Sequence, residues 1–342
     1  MGEGVPTPAR SGATLGAYDI LRVLERGATE TVYLAVRAGT DREVAIKVAA
    51  AGLALPPDLQ QDGLALSKKL VHRHIARMLD SGEDGGLAYV VVERLQGSTL
   101  ATLMADPNFR LEVPTAVDLI AQVCTGLHYA HERGLVHGDV TPANLFVTAD
   151  NVAKVLNFGL TNTPATDRTV LSDNAQSGSF EYMSPEQVAR QRTIDGRSDV
   201  FSAAVILYQL IAGRRPFDGP SPTATVQRIL HDEPATLEVE PKLHAVIRRA
   251  LEKQPEKRYN AQEFAYGLWM SHAPDGDVVV EEADEPPSVT LFVERADQPP
   301  APEVKDAAPP APAAPPMRAP LVYGAVAIAV TLVGAGVLLY AC

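Results

Sequence analysis

An α+β arrangement in two lobes, a small β-rich one followed by a larger helical one, is the fold class this sequence predicts, on three observations. Short β-prone runs fill the first third of the chain. After Gly97 the apolar residues recur at helical spacing. The mixed, periodic character stops near Ser271, where the composition turns acidic and then proline-rich. A lobe of strands followed by a lobe of helices is the α+β pattern.

The elements follow in order. Tyr18 to Leu24, Thr31 to Val36 and Glu43 to Ala49 are β-prone runs separated by turn signals such as Ala38-Gly39-Thr40-Asp41. Leu59 to Lys69 has helical character, and Ala88 to Glu93 is a strand again. Helical periodicity then runs through Ala116–Arg133, Asp199–Gly213, Thr223–His231, Leu243–Glu252 and Ala261–Trp269. Residues 1–16 are expected to be a flexible N-terminus, 17–271 the folded domain (lobes 17–95 and 98–271), 272–320 a linker and 321–341 a membrane helix.

The bulk numbers bound the partners. The 342 residues carry a net charge of −12, which argues against nucleic acid. The two cysteines, Cys124 in an apolar helical stretch and Cys342 at the last position, make a disulfide framework improbable, and a reducing cytoplasm fits. Met1 to Ser11 has no apolar core and does not read as a signal peptide.

The linker holds Asp275, Asp277, Glu281, Glu282, Asp284 and Glu285, then a Pro/Ala tract from Pro299 to Pro320 expected to be a semi-rigid spacer. Within it the alternating island Ser288–Val293 either adds as a strand to a partner's sheet edge or is a chance apolar run. Leu321 to Ala341 contains no charge. About 20 residues rising ~1.5 Å each span roughly the 30 Å of a bilayer core. Lys305 and Arg318 precede the segment, so the positive-inside rule places the folded domain in the cytoplasm. Tethering favours weak self-association.

The segments that carry chemistry come in one order. They are Val44-Ala45-Ile46-Lys47; Tyr89 to Gly97; His137-Gly138-Asp139-Val140-Thr141-Pro142-Ala143-Asn144; Asn157-Phe158-Gly159; Gly178 to Glu186; Ser198 to Ser202; and Glu256-Lys257-Arg258-Tyr259. Over roughly residues 17–270 this series resembles the eukaryotic-like serine/threonine protein kinases of bacteria. The segment around Met183–Glu186 and Asp199 separates it from the small-molecule phosphotransferases that share an H-G-D loop.

The resemblance implies a nucleotide site made by Leu24, Gly27, Val32, Ala45, Lys47, Glu93, Leu95, Asn144 and Phe146. Lys47 would grip the α and β phosphates, and Glu93 and Leu95 would bind adenine through backbone. Asp139 would orient the substrate hydroxyl and accept its proton, with Asn144 and Asn157 at the metal-ligand positions. Glu186 should pair with Arg258.

Several positions depart from the family pattern. The phosphate loop reads Glu25-Arg26-Gly27-Ala28-Thr29-Glu30-Thr31-Val32, keeping the middle glycine of three. Carboxylates at Glu25 and Glu30 carry the wrong sign for phosphate; two unit charges about 5 Å apart at an effective dielectric near 20 repel by roughly 3 kcal/mol. Gly63, beside Asp62, falls where a helix glutamate should pair with Lys47. Gly138 replaces the arginine that reads a phosphorylated activation loop, and Thr141 replaces a lysine. Thr161, Thr163, Thr166, Thr169 and Ser172 remain as acceptors. Asn157 stands where the family has the aspartate that holds Mg²⁺, and the amide removes a full negative charge from that ion's ligands.

The losses fall on the glycine loop, the helix glutamate and the metal position, whereas His137, Gly159, Pro185, Glu186, Asp199 and Arg258 are kept. Two readings follow. One is a pseudokinase, a membrane-tethered scaffold or allosteric partner of other proteins such as an active kinase. The other is an active but atypical serine/threonine kinase that uses ATP and Mg²⁺. In the first, the site takes nucleotide without metal, or none.

Overall fold

The computed structural model describes residues 12–27, 30–49, 62–159, 180–191 and 193–271. By its contacts the chain divides into two units, Met1–Val293 and Glu294–Cys342; the second lies outside the described residues. So do the apolar island, the acidic and Pro/Ala linker and the expected membrane segment 321–341. Among the described residues no helix is long and apolar enough to cross a membrane.

The first lobe is a six-stranded sheet in the order β1-β2-β3-β4-β6-β5. Its strands are β1 (Thr14–Leu15), β2 (Tyr18–Arg26), β3 (Glu30–Arg37), β4 (Glu43–Ala49), β5 (Met78–Asp84) and β6 (Leu87–Glu93), all paired antiparallel. β1 lies within the stretch expected to be flexible. The Gly12 amide donates to the Ile20 carbonyl at 2.8 Å, so ordered structure begins ahead of residue 17.

Alternation along the strands builds two apolar faces. Ile20, Tyr33, Ala35, Val44, Ile46, Val48, Tyr89 and Val91 form one cluster. On the opposite face Val90 and Met78 pack with Leu64 of α1 (Asp62–Ser67). Lys47 pairs with Val32 on one side and Val90 on the other, so it belongs to this second face. β5 and β6 form a hairpin whose two linking residues, Gly85 and Gly86, have φ of 56° and 75°. Both central residues of a type I′ turn need positive φ, and glycine adopts it without penalty.

The second lobe is helical. Its elements are β7 (Gly97–Thr99), α2 (Leu100–Met104), α3 (Val113–His131), β8 (Leu145–Thr148), β9 (Ala153–Val155), α4 (Pro185–Val188), α5 (Gly196–Ala212), α6 (Pro222–His231), α7 (Pro241–Ala250) and α8 (Ala261–Met270). β7, β8 and β9 make a small antiparallel sheet. α3 and α5 run through the core, and an α5 stretch from Ser198 to Tyr208 is wholly buried. A helix apolar on every side can only be an interior one. Cys124 is buried in α3, where desolvation pushes its thiol upward and keeps it protonated. The helices expected from periodicity all form, each within a few residues of the expected bounds.

Candidate active site

The loop His137–Asn144 is held by one carboxylate. Asp199, 1% exposed, accepts from the His137 amide at 2.9 Å, the Gly138 amide at 2.8 Å and His131 Nε2 at 2.7 Å. Burial pushes its carboxyl up, but these bonds and the nearby imidazoles outweigh burial and hold it below its usual range. From the other side Gln187 Nε2 donates to the Gly138 carbonyl at 2.8 Å. Gly138 has φ of 73°, a left-handed conformation natural to glycine. His137 Nε2 bonds the Leu156 carbonyl at 2.7 Å and its ring meets Phe158 edge-on at 4.8 Å. Phe158 is buried, and its carbonyl accepts from Ser67 Oγ of α1 at 2.8 Å.

The platform below is closed by an ion pair. Arg258 meets Glu186 with both terminal nitrogens at 2.7 Å, and Ser198 Oγ donates to Glu186 at 2.5 Å. The remaining guanidinium hydrogens reach the carbonyls of Glu252, Arg197 and Lys253. For Glu186, burial raises the carboxyl, and the Arg258 and Ser198 bonds more than reverse it, leaving it lowered.

Four of the expected site residues then line up. Lys47 Nζ donates to Asn157 Oδ1 at 2.6 Å, Asn157 Nδ2 donates to Asn144 Oδ1 at 2.7 Å, and Asn144 Nδ2 donates to the Asp139 carbonyl at 2.8 Å and to Asp139 Oδ2 at 3.0 Å. Lys47 also finds a countercharge in Glu30 Oε1 at 3.6 Å. The sequence reading took Glu30 as a carboxylate in a glycine's place, of the wrong sign for phosphate, and missed this pair; the signal available was its place in β3, opposite Ala49 and so diagonal to Lys47. Gly63 lies in α1, with side-chain detail at residues 62 and 63 outside the described residues. Glu25 is exposed in β2 across from Val32, and Gly27 closes the β2–β3 turn by donating to the Glu30 carbonyl at 2.9 Å.

The other expected nucleotide residues are distributed over both lobes. Leu24 is 40% exposed on β2, Ala45 is buried on β4, and Phe146 on β8 is half-buried. Thr141 is buried at the start of the turn that carries Asn144. Glu93 ends β6; its amide donates to the Arg77 carbonyl, while its carboxylate takes the Arg77 amide and Lys154 Nζ, both at 2.9 Å. A cleft of about 610 Å³ bordered by Leu95, Gln96, Asp150 and Lys154 shares with the expected nucleotide site Leu95 alone. Ala28, Thr29, the threonines of the activation loop, Ser172, Gly178 and Ser179 lie outside the described residues.

The quartet does not fit a magnesium site of the family's kind. An ion about 2.1 Å from Asn157 Oδ1 would stand at most about 4.7 Å from the Lys47 ammonium, given the 2.6 Å bond between them. At an effective dielectric near 20, charges of +2 and +1 at that distance repel by about 7 kcal/mol. A carboxylate at position 157 would touch both cations and offset this; an amide supplies no charge. Among the described residues no cluster of three or more His, Cys, Asp or Glu is arranged to hold a metal.

Comparison with known proteins agrees with this architecture. The protein kinase domain family model matches residues 18–270. The serine/threonine-protein kinase PknB of Mycolicibacterium smegmatis is 34% identical over 288 residues, 78% of this chain and 45% of that protein. PknB of Mycobacterium tuberculosis is 32% identical over the same shares. The chain thus spans about half the length of the curated relatives it matches. Among solved structures, a cysteine-to-alanine variant of the Mycobacterium tuberculosis PknI kinase domain superposes with a TM-score of 0.63 at 27% identity, covering 78% of this chain and all of that one. With the match extending over both lobes and the motifs in their family order, the chain belongs to the protein kinase family, and within it to the bacterial-type serine/threonine kinases.

Proposed function

We propose that this chain is a membrane-tethered kinase homologue with weak or absent phosphotransfer, acting as a signalling scaffold or allosteric regulator of other proteins. One observation carries the reading: the lysine that should meet the phosphates is hydrogen-bonded to an uncharged amide at the metal position. Phosphoryl transfer is mostly positioning and charge neutralisation, so an amide here removes what the fold would otherwise contribute. The fully formed Asp199 and Glu186–Arg258 braces support a retained binding platform. The apolar segment 321–341 supports the tether, and its flanking Lys305 and Arg318 support a cytoplasmic kinase domain.

The alternative, an atypical active kinase, draws on the catalytic loop itself. Asp139 is positioned by Asn144 and by its amide bond to His137 Nδ1 at 3.1 Å. The test is phosphate transfer by the full-length chain in detergent, with Mg²⁺ or Mn²⁺ and labelled ATP, beside Asp139→Asn. The scaffold reading expects equal, background-level incorporation in both. Strong incorporation that Asp139→Asn abolishes would establish the alternative.

A further inference from the structure

The direction of the hydrogen bonds in the Lys47–Asn157–Asn144–Asp139 chain is fixed by its two ends. An ammonium can only donate, so the Asn157 atom facing Lys47 is oxygen. The other Asn157 atom is then the NH₂, and the Asn144 atom that receives it is oxygen. The Asn144 NH₂ in turn faces a carbonyl and a carboxylate oxygen, both acceptors. Every member agrees, so no amide can be reversed without setting donor against donor or acceptor against acceptor.

Both oxygens that the family turns toward a metal therefore already accept an N–H donor each. Aspartate at position 157 could not do this. It has no hydrogen to give, so Asn144 Oδ1 would face another oxygen, and a cation between them would satisfy both. The amide at 157 supplies with its own NH₂ what the cation supplies elsewhere.

We infer that the phosphate site takes a nucleoside di- or triphosphate free of divalent metal, with Lys47 as the cation that meets the phosphates. Lys47 is suited to it: its side chain is 12% exposed, one donor goes to Asn157, and its Glu30 contact at 3.6 Å is long enough for a phosphate to displace. The inference deepens the scaffold reading and rests on it in one respect, that the site binds rather than turns over.

The experiment is calorimetric titration of the full-length chain in detergent with ADP and with a non-hydrolysable ATP analogue, in excess EDTA and in excess Mg²⁺. Wild type should bind in EDTA with a Kd within about threefold of its value in Mg²⁺, and Lys47→Met should weaken binding by about tenfold or more. Asn157→Asp should make binding metal-dependent, Mg²⁺ tightening it by about tenfold or more. Asn157 has φ of 65°, a conformation that aspartate tolerates as asparagine does, so this variant keeps its backbone. Wild-type binding that requires Mg²⁺, or no binding in either condition, overturns the inference. The phosphotransfer assay fails independently. Turnover with metal would remove the scaffold reading, whereas a silent, empty pocket would remove this inference and leave that reading standing.

Discussion

Glutamine at position 186 changes one charge and no volume, and the geometry around it sets the cost. Glu186 is 2% exposed and accepts three hydrogen bonds, two from Arg258 and one from Ser198. In Glu186→Gln the guanidinium keeps its charge, with its side chain at 0% exposure, and faces an NH₂ where it had an oxygen. Breaking one partner of a buried pair costs about 3–5 kcal/mol, because the surviving charge is uncompensated. At a urea dependence of about 2–3 kcal/mol per molar, the unfolding midpoint at pH 7 should fall by about 1–2.5 M. The pH profile supplies a second reading. The Glu186 carboxyl is lowered in the folded state, so its contribution is present above its unfolded value and lost as pH falls through the folded one. The gap between wild type and variant should therefore be full at neutral pH and close in acid, below the usual glutamate range near 4.3. A midpoint shift under about 0.3 M, or a gap that does not narrow in acid, would refute the reasoning.

Other substitutions probe other features. Tyr33 lies at 0% exposure on β3, and among the described residues its hydroxyl is a buried side-chain oxygen with no partner. Tyr33→Phe should raise stability by about 1 kcal/mol in a urea melt. Gly138→Ala meets no atom within 4 Å but must hold φ near 73°, so it should cost about 1 kcal/mol or slightly more by the same assay. Lys253 donates to the last carbonyls of α6, Ile229 at 2.7 Å and Arg228 at 3.3 Å, and lies over the Phe217 ring; burial lowers its pKa to about 8. A folded value below the unfolded one means the unfolded chain holds more protons between the two. Stability relative to Lys253→Met should then rise from about pH 8 toward about pH 10, measured as the difference in urea midpoints.

How far the sequence could be read depends on how local each cause is. α5 and α3 were legible because their apolar spacing is carried within one helix. β5 was not: Met-Leu-Asp-Ser-Gly-Glu-Asp has little strand propensity, and it forms by pairing with β6 across the Gly85-Gly86 turn. β8 and β9, at four and three residues, are too short to show a period. In the site, motif order located Lys47, Asp139, Asn144 and Asn157 because short contiguous motifs carry them, Lys47 on β4 and the others at or beside loops. The Lys47–Glu30 pair depends on strand register, and the Ser67–Phe158 bond joins residues 91 apart, so neither leaves a local trace. For Asn157, sequence reasoning counted the charge lost; the hydrogen gained became visible only beside Asn144.

The hub at Asp199 has an evolutionary corollary. Its three donors come from α3 and from the backbone of the loop, and Gln187 grips the same loop through a backbone carbonyl. The backbone contacts do not depend on which side chains the loop displays. A residue of that loop such as Thr141 can therefore drift in chemistry while the loop's trace is preserved. Most mutations destabilise, and selection removes those that fall below the stability function needs. A fold braced this way lets catalytic positions become mutationally cheap, so a lineage can explore new uses for the same platform without first surviving an unfolded ancestor.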